Sequence, residues 1–143
     1  MNADVLKGFF DGRVCAADLA REAARAETLF AEGEHEPLAN DLAGDFTVRP
    51  DHLVALCDAV SSGEMRACQL EVLAAVLVRS ERFTWDPRTP EGALVSRVIY
   101  AWEAPEINYV LTPATAAKFR HLLATGEDRF GDADWSAITK PIR

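Results

Sequence analysis

The sequence predicts an all-α protein, a single-domain bundle of about six helices with short extended connections. Apolar residues recur at helical spacing in six separate segments, and glycine, proline or serine residues end most of them. The chain has 143 residues, a length typical of one domain, and its 49% hydrophobic and 27% charged residues are an ordinary globular composition. We therefore expect residues 1–143 to form one helical domain.

The first two predicted helices form a hairpin around a glycine. The first begins near Val5 and should end at Asp11-Gly12, because glycine readily adopts the positive φ that terminates helices. The second runs from about Ala16 to Phe30 and is rich in alanine, which favours helix and lets a neighbouring helix approach closely.

The third and fourth predicted helices form a second hairpin. Pro50 should begin the third helix, since the first helical position does not need the N–H that proline lacks, and Ser61-Ser62-Gly63 should end it. The fourth helix, about residues 67–79, is apolar on most sides and should therefore be the central helix of the bundle.

The two hairpins resemble one another at an offset of 51 residues. The residues Gly12, Ala16, Leu19 and Ala23 recur as Gly63, Ala67, Leu70 and Ala74. Either a helical hairpin was duplicated, or two hairpins built from common residues look alike. Because alanine and leucine are such frequent helix formers, we favour the second interpretation.

The fifth and sixth helices have the clearest starts, each a capping threonine followed by a proline at the first helical position. These starts are Thr89-Pro90 and Thr112-Pro113. Pro105 should end the fifth helix, residues 107–111 should be extended, and Gly126 should end the sixth helix.

Two segments lack helical periodicity. Residues 31–49 contain several Gly and Pro residues and should form a long loop or short helical turns. This segment is acidic, with carboxylates at Glu32, Glu34, Glu36, Asp41 and Asp45. The acidic C-terminal tail, residues 127–143, also carries Phe130, Trp135 and Ile138, and it is either packed on the bundle or frayed.

Charge and hydropathy exclude several classes of partner. The formal net charge is −8, whereas phosphate binding requires clustered Lys and Arg, so we expect neither nucleic acid nor an anionic membrane surface as a partner. No apolar run is long enough to span a bilayer, and the N-terminus lacks the features of a signal peptide. The acidity is compatible with a basic protein partner, or it serves solubility alone.

The three cysteines are predicted to be free thiols. Cys15, Cys57 and Cys68 form no CxxC pair, and an odd number at wide spacing fits neither a disulfide framework nor a zinc site. We expect all three to be buried in a protein of the reducing cytoplasm.

No segment predicts a cofactor or a metal. Glu34-His35-Glu36 is the densest cluster of metal-ligand residue types, but three consecutive loop residues point in different directions and cannot easily coordinate one ion. The G-x-S-x-G, P-loop and H-E-x-x-H motifs are absent from the sequence, so we assign no catalytic residue.

The segment Trp102–Tyr109 is the most distinctive part of the sequence because aromatic residues stand beside carboxylates and an amide. It is either core and turn structure, a recognition surface rich in aromatic residues, or a catalytic pair, Glu103 and Glu106. Residues 83–86 present the same alternatives. The candidate partner-binding residues are Glu32, Glu34, Glu36, Asp41, Asp45, Trp85, Asp86, Trp102, Glu103, Glu106, Asn108 and Tyr109.

The opening stretch Leu6-Lys-Gly-Phe-Phe-Asp-Gly-Arg-Val-Cys-Ala-Ala-Asp-Leu19 resembles the start of small acidic helical bacterial immunity proteins, the colicin D immunity-like group. The resemblance covers about a tenth of the chain. It implies a helical bundle of bacterial origin that binds and blocks a toxic nuclease, and it carries over no residue role.

The leading functional hypothesis is a protein-binding module, an immunity protein or antitoxin that blocks a basic toxin or nuclease by charge and shape complementarity. One alternative is a structural or regulatory homo-oligomer whose exposed aromatic residues form a self-interface. Another is a small hydrolase or metal-dependent enzyme that uses Glu103, Glu106 or His35.

Overall fold

Helices dominate the structure. The computed structural model describes residues 1–31 and 37–136, and within these residues there are six helices and two short strands. The helices are α1 (Ala3–Phe10), α2 (Ala16–Ala31), α3 (Pro50–Ser61), α4 (Gln69–Arg79), α5 (Pro90–Glu103) and α6 (Pro113–Thr125). The strands are β1 (Phe46–Thr47) and β2 (Phe83–Thr84), and short 3-10 turns occupy Pro105–Ile107 and Asp132–Asp134. The predicted all-α, single-domain fold is confirmed.

Side-chain caps begin several of the helices where the sequence predicts them. The Gly92 N–H donates to Thr89 Oγ1 (3.0 Å) at the start of α5. At the start of α6, the Thr115 N–H donates to Thr112 Oγ1 (3.1 Å), and the Thr112 N–H donates back to Thr115 Oγ1 (2.9 Å). These bonds satisfy N–H groups that have no partner inside a helix, which explains why both Thr-Pro starts were recognisable.

The core lies between the helices of two packed pairs, α3 against α6 and α4 against α5, and α2 packs on α4. Seven of the eleven residues of α4 are buried, which agrees with its predicted central position. The largest fully buried side chains include Trp102 of α5 and Phe119 of α6, whose rings meet edge to face with centroids 5.7 Å apart. Gln69 ties α4 to α2, because its Nε2 donates to the Ala20 carbonyl oxygen (3.0 Å).

The two helical hairpins turn in the same way. Gly12 and Gly63 have φ values of 81° and 82°, a left-handed conformation that strains any residue with a Cβ. In both turns the glycine N–H donates to the carbonyl three residues earlier, and the next N–H donates to the carbonyl five residues earlier. This bonding is the Schellman motif. Both interpretations of the repeated sequence, duplication and chance similarity, predict this shared turn.

A short parallel strand pair was not predicted. Residues 31–49 were expected to be loop or short helical turns, but Phe46 and Thr47 form β1, which pairs in parallel with Phe83 and Thr84 of β2. The pairing is stabilised by an aromatic cluster that the sequence periodicity does not reveal. Its members are Phe10, Phe46, His52 and Phe83.

His52 joins this cluster to the start of α3. Its ring centroid lies 4.9 Å from that of Phe10 and 5.0 Å from that of Phe46, and its Nδ1 accepts a hydrogen bond from the Arg49 N–H (2.9 Å). Burial, and secondarily the charge of Arg49, lower the pKa of His52, while Asp51 and Asp11 oppose that shift. The neutral imidazole is therefore the form that the fold uses.

We expect the free energy of unfolding to fall as the pH falls from 7.5 towards 5.5, in part because of His52. The unfolded chain protonates this histidine near its ordinary pKa of about 6.5, whereas the folded protein does so only at lower pH, so acid favours the unfolded state. A single proton sets a limit of about 1.4 kcal/mol per pH unit, and the partial exposure of the ring reduces the slope further.

The measurement is urea unfolding at several pH values for the wild type and for His52→Gln. Glutamine at this position can accept the same backbone hydrogen bond but does not titrate, so the variant should be less sensitive to pH. Equal pH dependence in the two proteins would show that His52 does not contribute.

The connection after α5 and the beginning of the tail also differ from expectation. Residues 107–111 were predicted to be extended, but the 3-10 turn takes in Ile107, and only Tyr109 pairs as a bridge residue, antiparallel to Trp135. This pairing shows that the tail is packed as far as Ser136 rather than frayed. Ile138 lies outside the described residues.

The prediction of three buried cysteines is correct only for Cys57. Cys15 and Cys68 are exposed, because they lie immediately before α2 and α4 rather than on the apolar faces of those helices. Burial raises the pKa of the Cys57 thiol to about 12. Among the described residues, none of the helices is both long enough and apolar enough to cross a membrane.

Candidate functional site

One face of α4 is left uncovered by the neighbouring helices and forms the floor of a groove of about 540 Å³. The residues that α4 and its N-cap contribute are spaced as one helical face, so they line the groove along its length. They are Cys68, Glu71, Val72, Ala75 and Arg79. The walls are formed by Glu27 of α2, Pro37, and Glu103 and Glu106 at the end of α5 and in the following 3-10 turn.

The groove continues past the N-terminus of α4 into a second depression of about 310 Å³. The two depressions share Cys68, Glu71 and Glu106. The second one adds Pro105, Val110, Leu111 and Ser136 to the lining. We refer to both together as the α4 groove, a surface with an apolar floor and an acidic rim.

The carboxylates that line the larger part of the α4 groove outnumber the one cation there, Arg79. Glu27 forms a salt bridge with Arg66 (2.6 Å), but Glu71, Glu103 and Glu106 form no salt bridge with any other residue in the described ranges. Glu71 is half-buried, and burial, followed by the negative charges of Glu106 and Glu27, raises its pKa. The groove therefore carries an unfavourable accumulation of negative charge that a cation would relieve.

The structure places the predicted residues of the segment Trp102–Tyr109 in different environments, some in the α4 groove and some in the interior. Glu103 and Glu106 line the α4 groove. Trp102 is fully buried in the core, so its assignment as a partner contact is wrong: the apolar stripe of α5 continues through it. Asn108 and Tyr109 serve internal structure, since Asn108 Nδ2 donates to the Ala104 carbonyl (3.0 Å) and the Tyr109 ring stacks on Phe130 (4.0 Å).

The described acidic residues of segment 31–49 and of the turn after β2 lie outside the α4 groove and bind local partners. Asp41 accepts hydrogen bonds from Ser80 Oγ (2.5 Å) and the Glu81 N–H (2.8 Å), which hold its pKa below the ordinary value against the opposing effect of burial. Asp45 forms a salt bridge with Arg82 (3.3 Å).

Trp85 and Asp86 border a separate depression of about 500 Å³ beside the strand pair. Trp85 is half-buried, and Asp86 forms a salt bridge with Arg88 (3.0 Å). The remaining predicted residues, Glu32, Glu34 and Glu36, and the Glu34-His35-Glu36 cluster as a whole, lie outside the described residues.

Sequence reasoning missed Glu27, Cys68 and Glu71. The available signal was Glu71, the single acidic residue of helix α4, whose other residues apart from Gln69 and Arg79 are apolar. Glu27 could not be found in this way, because α2 carries charged residues over most of its surface. Across residues 1–31 and 37–136, there is no group of three or more His, Cys, Asp or Glu residues placed to hold a metal ion.

The described residues form a small helical domain with an acidic groove along α4. The chain matches no protein-family model, and comparisons with curated proteins and with solved structures also give no match. The argument for function therefore depends on the groove itself.

Proposed function

We propose that this protein is a protein-binding module that blocks a basic partner, acting as an immunity protein or antitoxin against a nuclease toxin. The observation that carries the proposal is the α4 groove, whose apolar floor is bordered by Glu71, Glu103 and Glu106. Among the described residues these three form no salt bridge, and the lining contains one cation, Arg79. The excess of negative charge over the whole chain, −8, has the same sign as the groove. A nuclease presents a basic cleft to its substrate, so an acidic protein surface is complementary to it.

Charge and apolar contact would have different effects on this complex. The net negative charge accelerates encounter with a basic partner, and this acceleration is lost as salt screens it. Apolar contact in the floor of the groove slows dissociation. The complex should therefore form quickly at low salt and weaken as salt is added.

The test is capture from a lysate of the source organism on the immobilised protein, with elution by increasing salt. The groove variant is Glu71→Gln/Glu103→Gln/Glu106→Gln. The control variant is Asp51→Asn/Glu81→Gln/Glu91→Gln, which neutralises three exposed residues outside the groove. Each variant removes three negative charges, so the two variants have the same net charge. A difference in partner binding between the two variants therefore reports on where the charges were removed rather than on how many were removed.

We expect a basic protein that is retained by the wild type and the control variant, is lost from the groove variant, and is released between about 50 and 500 mM NaCl. Its purified form should lose nuclease activity when the wild type is added. Retention of only a second copy of the chain would indicate self-association instead. If no captured protein distinguishes the groove variant from the control, the proposed function is wrong.

A further inference from the structure

We propose that the α4 groove binds an arginine-bearing, partly apolar segment of the partner, with the arginine side chain placed between Glu71, Glu106 and Glu27. This inference rests on the proposed function and adds to it the chemical nature of the bound segment. It concerns one surface of the protein and can fail while the proposed function stands.

The floor of the groove favours an apolar segment. Val72, which is buried, and Ala75, which is half-buried, lie on the face of α4 that lines the depression between α2 and the end of α5. Each part of the groove also has a proline in its lining, Pro37 in the larger part and Pro105 in the smaller. A side chain that reaches the floor of the groove therefore contacts apolar groups.

The charges favour a cation at one defined place. Glu27, Glu71 and Glu106 come from three different elements, α2, α4 and the 3-10 turn, and all three border the same groove. Glu71 is half-buried beside the other two, so its charge is incompletely solvated. A bound cation would restore the lost solvation of Glu71 and reduce the repulsion among the three carboxylates.

Arginine fits this arrangement better than lysine. Its long aliphatic stem can lie on Val72 and Ala75 while its head group reaches the carboxylates. A planar guanidinium carries five N–H donors and can bond to two carboxylates at once, whereas the ammonium of lysine is a compact and strongly hydrated charge. The partner segment is therefore expected to use arginine flanked by apolar residues.

The cysteines provide an internal measurement of occupancy. Cys68 is exposed and lies within the groove, and its Sγ is 4.0 Å from Glu27 Oε1. Cys15 is also exposed but lies before the N-terminus of α2, about 18 Å along the helix from Glu27 at the rise of an α-helix. Cys57 is buried and should not react. One alkylation experiment thus reports on the groove and on a control site together.

The experiment measures alkylation of the full chain by iodoacetamide, resolved by mass spectrometry, with and without a short peptide of arginine and leucine. A matched peptide has citrulline, which is neutral and nearly the same shape, at each arginine position. We expect the arginine peptide to slow alkylation of Cys68 about tenfold at saturation and to leave Cys15 unchanged. The citrulline peptide should protect neither residue.

A charge variant locates the arginine. Glu71→Gln/Glu106→Gln should weaken peptide binding about tenfold, which is about 1.4 kcal/mol. The control Asp51→Asn/Glu91→Gln should bind as the wild type does. Substitution of lysine for arginine in the peptide should give an intermediate affinity.

Several results would overturn the inference. These are equal protection by the citrulline peptide, equal protection of Cys15 and Cys68, and no protection of Cys68 by the arginine peptide at about 1 mM. Protection of Cys68 in the absence of peptide would identify another occupant of the groove. If this protection depends on protein concentration, the occupant is a second copy of the chain. If it does not, the occupant is a segment of the same chain. If these peptide results fail but lysate capture still distinguishes the groove variant from the control, the partner uses the groove carboxylates without an arginine-bearing apolar segment, and the proposed function stands.

Discussion

Replacing Trp102 by alanine should lower the free energy of unfolding by about 3–5 kcal/mol, the usual cost of removing a large aromatic side chain from a core. Trp102 is fully buried, and its ring packs edge to face on Phe119. The cavity left behind would lie between α5 and α6. Since small domains are stable by about 5–15 kcal/mol, this one change could remove a large part of the total.

The measurement is urea or thermal unfolding followed by circular dichroism. Tyr100→Ala, two residues away on the same helix, is the matched control, because 51% of the Tyr100 surface is exposed and its loss should cost less than about 1 kcal/mol. Trp102→Phe should also destabilise the protein less than Trp102→Ala does. The Trp102 Nε1 is a buried donor without a partner among the described residues, so phenylalanine at this position loses no hydrogen bond with them. Equal effects of Trp102→Ala and Tyr100→Ala would contradict the packing described here.

Replacing Gly92 by alanine should destabilise the protein by about 2–4 kcal/mol, although alanine is the better helix former. A Cβ at Gly92 would overlap with the carbonyl group of Asp86, which is backbone and cannot rotate away. It would also lie 2.9 Å from Thr89 Oγ1, the atom that caps α5. The turn from Asp86 to Thr89 would have to move, and the cap would be weakened, which alone costs about 1 kcal/mol.

Gly44→Ala is the control for this prediction. A Cβ at Gly44 would have no neighbour within 4 Å, and the residue is not among those with positive φ. Its substitution should therefore be neutral or slightly stabilising, because alanine restricts the unfolded chain. Both variants are compared by denaturant unfolding, and a Gly92→Ala protein as stable as Gly44→Ala would show that the close approach to Asp86 is absent in solution.

The helices were predictable because their signals are local. Thr89 and Thr112 precede prolines, Gly12 and Gly63 follow apolar runs, and each signal acts within a few residues of the chain. The strand pair was not predictable for the opposite reason. Two residues cannot show strand periodicity, and the partner of Phe46 is Phe83, on the far side of two intervening helices.

The candidate site was predictable only in part, for a related reason. Glu103 and Glu106 stood in a distinctive segment, but their position beside Glu71 depends on how α5 packs on α4. The same packing buries Trp102, for which the sequence had left open both the core and a recognition surface. The local sequence pattern thus identified the segment Trp102–Tyr109 as a candidate. Tertiary contacts determine which of its residues are exposed.

The parallel strand pair has a consequence for cooperativity. A pair of two-residue strands has almost no stability of its own, and parallel pairing requires a long crossover, which here is the hairpin of α3 and α4. The pair can therefore persist only while that hairpin is folded. Because Phe10 of α1 stacks on Phe46 and meets Phe83 edge to face, opening the hairpin would also remove these contacts of the first helix, so that loss of structure in the middle of the chain spreads to its beginning.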